Sequence, residues 1–327
     1  MRGGVAMTMG NAKVSVVLVT YNSSSVIHHS LTPLANCEQI EILIIDNNSS
    51  DDTVHIIGKS FPGITLIENT NNDGFAKAVN LAAQRATGQV LVLLNPDAII
   101  QPHDVLSLAD RVIASDGLGI AAPLIKHPTG DLRIVSGGRF PTIWRMFCHY
   151  FGLSRIHASP LFEGHYFLMS EVEASPMQAE WATGACLAMR RDLWEHLGGL
   201  SERWFMYAED IELCYRVSQA GLKTVIFPDV PATHLVGESD STSRKSANPV
   251  WVLNLFDFYK MALSKSKFHN LTWALVVGVG LGSRSIVYKV HSLRSKREVK
   301  AALSHESYRF RKFATATIAA GLSPDRG

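Results

Sequence analysis

Between Val14 and Pro123 the chain alternates between two kinds of hydrophobic pattern. Short, nearly continuous apolar runs occur at "VSVVLVT" (14 to 20), "EILIID" (41 to 46), "ITLIEN" (64 to 69), "VLVLLN" (90 to 95) and "LGIAAP" (118 to 123). Runs of this length without polar interruption predict strands buried on both faces. Between them lie segments with helical spacing: "SSSVIHHSLTPLAN" with serine caps, "SSDDTVHIIGKS" started by Ser and Asp, "GFAKAVNLAAQRAT" ended at Gly88, and "PHDVLSLADRVIAS". Strand and helix alternating through short loops predict an α/β fold, a Rossmann-like mostly parallel sheet with helices on both faces. From 130 to 180 the alternation stops. The segment is rich in Phe, Tyr, His, Met and Gly, with Pro141, Pro160 and Pro176, and predicts long loops and short helices over one face of the sheet. A second ordered block follows, in which "YAEDIELCYRVSQA" predicts a helix ending at Gly221. The end of the chain predicts amphipathic helices.

Each strand of the first half ends in polar residues: Thr20, Tyr21 and Asn22; Asp46 to Asp51; Asn69, Asn71, Asn72, Asp73, Gly74 and Phe75; Asn95, Pro96 and Asp97. Turns explain any one of these ends. In a parallel sheet, however, all of them lie at one edge, where open α/β sheets bind ligands. A buried carboxylate such as Asp46 can accept from a pyrimidine N–H, and Asn side chains can bond ribose or base edges. Asp97 can hold a hard divalent cation, Mg2+ or Mn2+, that bridges diphosphate oxygens and neutralises a leaving group. There is no G-x-G-x-x-G after the first strand and no G-x-x-x-x-G-K-[ST], which disfavours dinucleotide cofactors and P-loop chemistry.

Charge changes the picture of the chain's end. The net charge of +2 hides 15 Lys or Arg against 4 Asp or Glu from Ser241 onward, and 16 against 25 before it. A basic, aromatic-rich tail on an acidic body implies an anionic surface partner, a membrane surface rather than nucleic acid; packing of these helices on the catalytic body or in a dimer is the alternative. The longest apolar stretch, "LTWALVVGVGLG" (271 to 282), reads as too short to span a bilayer. The first residues lack the apolar core of a signal peptide. Cys37, Cys148, Cys186 and Cys214 form no C-x-x-C pair and read as free thiols in a reducing compartment.

Taken in order, "VVLVTYNSS", "EILIIDNNSSDDT", "NNDGFAKAVNLAAQRATG", "VLVLLNPDA", "TGACLAMRRDLWEHLGGLSERWFMYAEDIELCYRVSQAG" and "PATHLVGES" resemble the inverting glycosyltransferases of family 2, nearest the rhamnosyltransferase-like branch that builds bacterial surface polysaccharides. The resemblance covers roughly residues 13 to 240 and implies the GT-A fold. It implies that Thr20 and Asn22 belong to the first nucleotide loop, that Asp46 binds the base, and that Gly74, Phe75 and Asn80, following Asn72, form the segment below ribose and diphosphate. Asn95-Pro96-Asp97 takes the place of the family's Asp-x-Asp, so Asp97 is the implied metal and diphosphate ligand, with Asn95 replacing the first acid and His234 near the metal. Asp210 is the implied catalytic base, with Glu209 beside it orienting the acceptor or making a structural contact. Ser201 and Glu212 depart from the branch, which usually has Asp at both.

A carboxylate base suits inversion, in which an acceptor hydroxyl displaces a nucleoside diphosphate in one step. On a helical wheel Asp210 shares a face with Leu213 and Val217, and Glu209 with Glu212 and Arg216, so only one of the two acids is expected to face the site. The implied organisation is a lead-in over 1–12, a nucleotide-sugar-binding half over 13–125, an acceptor-binding and catalytic half over 126–240, and a basic amphipathic helical tail over 241–327. The implied activity is metal-dependent transfer of a sugar, rhamnose at the level of the branch, from a nucleoside diphosphate to a glycan or polyprenyl-diphosphate-linked acceptor. The implied setting is cytoplasmic, at the inner face of the cytoplasmic membrane. A nucleotidyltransferase-like enzyme and a non-catalytic nucleotide-sugar-binding protein are the competing classes.

Overall fold

The computed structural model describes residues 13–126, 136–155, 159–167, 175–235 and 247–323. The N-terminal lead-in, His127, His157 and the last four residues of "PATHLVGES" lie outside them. In chain order the elements are β1 (Val14–Thr20), α1 (Ile27–Leu31), β2 (Ile40–Asp46), α2 (Thr53–Ser60), β3 (Thr65–Glu68), α3 (Phe75–Ala83), β4 (Val90–Leu94), β5 (Ala98–Ile99), α4 (Pro102–Ala114) and β6 (Leu118–Lys126). Then come β7 (Gly137–Gly138), α5 (Ile143–Tyr150), β8 (Met177–Ala179), β9 (Trp181–Ala182), β10 (Cys186–Arg190), α6 (Arg191–Leu197), α7 (Glu209–Gln219) and β11 (Lys223–His234). The chain ends in α8 (Val250–Ala262), α9 (Lys267–Arg294) and α10 (Arg297–Leu322).

The main sheet has the order β3-β2-β1-β4-β10-β6-β11-β5, with β8 also paired to β11. Strands β1 to β4 pair in parallel, as do β6 and β11. β10 runs antiparallel between β4 and β6, so these two still point the same way. All six parallel strands therefore end at one edge, and β10 starts there. The expected mostly parallel α/β sheet is present, with one strand inserted between the fourth and fifth expected ones. Period-two geometry explains why the strands read as unbroken apolar runs. Val17 and Val19 of β1 enter one core with Leu43, Ile45, Leu91 and Leu93, whereas Val14, Val16 and Leu18 enter another with Ile42, Ile44, Val90 and Val92.

Two local expectations change. α1 is only five residues long and has no side-chain cap; Ser23, expected as a cap, is buried and receives its contact from the second loop, its N–H donating to Thr53 Oγ1 at 2.7 Å. The end of the chain is built into the body. Val252, Leu255, Phe256, Phe258, Trp273, Val277 and Phe313 belong to the same core as α3 and α7. Trp273 is fully buried, stacked between Phe256 at 5.1 Å and Tyr259 at 5.3 Å, and its Nε1–H donates to Pro141 O at 2.6 Å. Burying a large apolar side chain is worth about 1.5–3 kcal/mol, so several of them hold α8 and α9 firmly. α9 also corrects the expectation on length: at 28 residues it is long and apolar enough to cross a membrane, although 39% of its most apolar window is buried inside the fold.

Candidate active site

At the carboxyl edge of the sheet a cavity of about 1050 Å³ opens between the β1, β2 and β4 ends on one side and β9, β10, α7 and α8 on the other. Among the predicted residues Asn22, Asn72, Gly74, Phe75, Asn95, Asp97, Glu209, Asp210 and His234 line it. Thr20, Asp46 and Asn80 do not reach the wall. Asp46 is buried, accepting from Thr20 Oγ1 at 2.7 Å, Ser49 N at 2.7 Å and Ser49 Oγ at 2.6 Å. These bonds occupy both its oxygens and shape the loop that carries Asn47 and Asp51 to the wall. Asn80 ties α3 to the loop after α6, accepting from Leu200 N at 2.9 Å and donating to Leu200 O at 2.9 Å. In this structure Asp46 and Asn80 shape the loops around the cavity.

The loops at the edge are fixed by conformations that few residues adopt. Asn22 (φ 51°) and Asn48 (φ 64°) are left-handed, a region Asn tolerates. Asn22 is locked by its N–H to Ser49 Oγ and by Ser50 N–H to its Oδ1, both at 2.8 Å. Gly74 (φ 89°) leads into α3, and a Cβ there would lie 2.5 Å from Phe205 O. The missing side chain lets the Phe205–Tyr207 loop approach closely enough for Phe75 N–H to donate to Phe205 O at 3.0 Å.

Opposite, Tyr207 (φ 71°) and Ala208 (φ 77°) are consecutive left-handed residues directly before α7. Each costs about 1–3 kcal/mol for a residue with a Cβ. Burial of Ala208 and the bond from Asn254 Nδ2 to Met206 O at 2.7 Å hold the turn. The turn aims both Glu209 and Asp210 into the cavity, contrary to the helical-wheel expectation of one acid. Wheel geometry counts only the helix, and these residues sit at its first positions, where the turn sets their direction. Asp210 Oδ2 accepts from Gly184 N–H at 3.0 Å and Oδ1 from Ile211 N–H at 2.8 Å. Glu209 is buried with Oε2 unpartnered. Burial and the neighbouring Asp210 push the Glu209 carboxyl up to about 8. Burial also raises Asp210, but three backbone N–H groups, those of Gly184, Ile211 and its own residue, oppose that rise. The proton shared by this pair is thus best held by Glu209 and the charge by Asp210. Glu212, the departure from the branch, turns away and pairs with Arg216 through two 2.7 Å contacts, and Arg216 in turn caps Leu197 O and Gly199 O.

On the sheet side, Asp97 is buried and its Oδ1 lies 2.9 Å from His234 Nε2, so β4 and β11 bring together the two residues predicted for the metal. Among the described residues no group of three or more His, Cys, Asp or Glu gathers at one point. The wall also holds residues that sequence reasoning passed over: His165, Tyr166, Thr183, Phe205, Met206, Tyr207, Trp251 and Leu255. His165 donates from Nδ1 to Arg139 O at 2.6 Å, stacks on Trp181, and is pushed down to about 3 by burial, so it stays neutral. Phe205, Met206 and Tyr207 are large, apolar and partly exposed at the mouth. Four acids, Asp51, Asp97, Glu209 and Asp210, face the cavity, and no Lys or Arg does so among the described residues.

A mostly parallel sheet with one antiparallel strand inserted and a cavity at its carboxyl edge has the architecture of the GT-A fold. Residues 15–172, just under half of the chain, match the sequence model described as glycosyl transferase family 2. It is 26% identical over 307 residues to the N-acetylglucosaminyl-diphospho-decaprenol L-rhamnosyltransferase of Mycobacterium tuberculosis, a match covering 88% of this chain and 96% of that protein. It is 23% identical over 230 residues to the rhamnosyltransferase WbbL of Escherichia coli, covering 68% and 83%. Its fold is similar to that of the mannosyltransferase PcManGT from Pyrobaculum calidifontis, solved in complex with GDP-Man and Mn2+, with a TM-score of 0.57, 18% identity, and coverage of 94% of this chain and 85% of that one. The GT-A fold and the resemblance to family 2 and its rhamnosyltransferase-like branch, expected from the motifs, are borne out.

Proposed function

We propose that this chain is an inverting, divalent-metal-dependent glycosyltransferase working on the cytoplasmic side of a membrane. In this reading it moves a sugar, rhamnose by similarity to its relatives, from a nucleoside diphosphate to a glycan or polyprenyl-diphosphate-linked acceptor in cell-surface polysaccharide synthesis. One observation carries the reading: a single cavity sets the Asp97–His234 pair against the Glu209–Asp210 pair. The described lining is acidic and lacks Lys and Arg, so a diphosphate would meet repulsion unless a cation came with it. Asp97 and His234 offer one carboxylate oxygen and one imidazole nitrogen, a donor set that suits Mn2+, with Mg2+ the alternative. Asp97 and His234 would hold such an ion beside the diphosphate. When bound there, the ion supplies positive charge against the leaving diphosphate.

The chain's own residues do the rest. Asp210 takes the proton of the acceptor hydroxyl as its oxygen bonds to the anomeric carbon. The bond from that carbon to the diphosphate oxygen breaks with its electron pair, and the configuration inverts. Glu209, neutral, keeps the pair at one negative charge and offers its carboxyl hydrogen to a substrate hydroxyl. Phe205, Tyr207 and Trp251 give apolar surface for a sugar ring or prenyl unit. The test is to incubate the full chain with a panel of nucleoside diphosphate sugars and a polyprenyl-diphosphate-linked N-acetylglucosamine. Release of nucleoside diphosphate with sugar transfer, stopped by chelator and restored by Mn2+, is expected. Inorganic diphosphate released from a nucleoside triphosphate would mean a nucleotidyltransferase. Donor binding without release would mean a non-catalytic binder, and full activity in excess chelator would remove the metal.

The Glu209 proton has its own signature. A raised carboxyl is neutral in the fold and ionised in the unfolded chain between its ordinary 4.5 and about 8. The stability it contributes is present below 4.5 and is lost as pH rises through that window. Glu209→Gln, which cannot ionise, should therefore gain thermal stability relative to wild type as pH climbs from 5 to 8. Melting curves that move in parallel across this range would show that Glu209 is ionised at neutral pH.

A further inference from the structure

The first long helix of the final hairpin leaves one side uncovered. In α9, Phe268, Leu275, Val279, Ile286, Val290 and Leu293 are exposed, Phe268 at 73% and Ile286 at 67%. At 100° per residue these six fall within about 60° of one another and run about 38 Å along the helix. The opposite side of α9 carries Trp273 and Val277, which enter the main core, and in α10 Phe313 does the same. Because both helices turn these residues toward the body, their opposite faces look outward together. The outward face of α10 carries Arg297, Lys300, Arg311 and Lys312, all exposed, and α9 adds exposed Lys289 and Arg294. Over residues 267–322 the chain has ten Lys or Arg against two acids, Glu298 and Glu306.

We infer that the outward face of α9 and α10 is a docking surface for an anionic lipid bilayer, on which α9 lies in the membrane plane. A continuous apolar stripe flanked by cations is the pattern that seats an interfacial helix: hydrocarbon takes the stripe and acidic headgroups take the Lys and Arg. A second copy of the chain fits this face poorly. A two-fold contact sets each patch against its own duplicate, and here it would bring together two surfaces that each expose Lys289, Arg294, Arg297, Lys300, Arg311 and Lys312. Crossing the bilayer fits α9 poorly as well. A Cβ at Gly280 would lie 2.4 Å from Tyr150, and Arg284 turns inward, its Nη2 3.1 Å from His149 Nε2 and its guanidinium 4.9 Å from the Tyr150 ring centroid. These contacts bind one flank of the helix to α5. The hairpin also packs beside the cavity: Trp251, on the cavity wall, meets Phe313 on the body-facing side of α10 edge-on at 5.9 Å, so one helix separates the cavity from the docking face. On the reading given above, this brings the site close to where a lipid-linked acceptor is held; the docking surface itself stands without that reading.

The experiment is flotation of the full chain with phosphatidylcholine vesicles and with vesicles containing phosphatidylglycerol. Wild type should float with the anionic vesicles, bind the neutral ones at least tenfold more weakly, and be stripped by alkaline carbonate. Ile286→Glu with Leu293→Glu should lower partitioning at least tenfold with an unchanged melting curve. Should that variant unfold, Ile286→Trp read by brominated lipid decides the matter, with quenching expected in anionic vesicles. Equal partitioning of wild type and the double-Glu variant, an unquenched Trp, or retention through carbonate would overturn the proposal. So would a wild-type dimer that the double-Glu change splits into monomers.

Discussion

Asp210→Asn is expected to lower sugar transfer by about 10²–10⁴, the usual share of a general base, or about 2.7–5.5 kcal/mol of barrier. The loss should fall on kcat, because donor contacts are assigned to the sheet side of the cavity, around Asn22, Asn72, Gly74 and Asp97. The geometry adds a stability effect. Both Asp210 oxygens accept from backbone N–H groups, at 3.0 Å from Gly184 and 2.8 Å from Ile211. An amide can accept at only one of these positions, so one N–H loses its partner, at about 1–3 kcal/mol. A lower melting temperature is therefore expected together with the kinetic loss, and melting alone cannot identify the base. Glu209→Gln makes the separation. Its Oε2 has no hydrogen-bond partner for an amide to displace, and if Glu209 serves as a neutral donor, Gln retains that ability. Transfer within tenfold of wild type is expected for Glu209→Gln. A larger loss there than at Asp210 would move the base to Glu209.

The strands were legible because the physics that buries them is local. Each of β1, β2 and β4 is covered on both faces, so nearly every position is apolar and the run stands out. β10 was not legible as a sheet strand: "CLAMR" is five residues long, and its place between β4 and β6 depends on pairing partners far away in the chain. At the site, strand ends pointed to the edge where the cavity opens, yet alternation alone does not tell an inward from an outward polar group at a loop. Asp46 and Asn80 are consumed by hydrogen bonds within the loops, while Asn47 and Asp51, two neighbours of Asp46, reach the cavity. The turn at Tyr207-Ala208 carried no glycine to announce it, so the direction of Glu209 could not be read. Trp251 and Leu255 were grouped with the basic tail because their segment is apolar and followed by Lys; only the packing of α8 on the core assigns them to the cavity.

Asp97→Asn tests the other half of the cavity. Asp97 is 4% exposed, its backbone oxygen accepts from Leu235 N–H at 2.8 Å, and its Oδ1 lies 2.9 Å from His234 Nε2. Asn preserves the size and the backbone contact and can keep an oxygen toward His234, so the fold should survive. What it loses is one full negative charge in a site with two protein donors for a cation. On the proposed reading the leaving diphosphate would depend on that cation for charge stabilisation worth several kcal/mol, so transfer should fall by about 10³ or more, at about 1.4 kcal/mol per decade. His234→Ala should weaken transfer less, since it removes a donor but leaves the charge. Binding of Mn2+ followed by electron paramagnetic resonance, with and without nucleoside diphosphate, reads the same step without turnover. Wild type should hold the ion more tightly when the nucleotide is present, since diphosphate oxygens would add donors to it, and Asp97→Asn should lose that gain. Unchanged Mn2+ affinity in the variant would place the ion elsewhere in the chain. Reduced affinity with undiminished transfer would mean that the reaction does not use it.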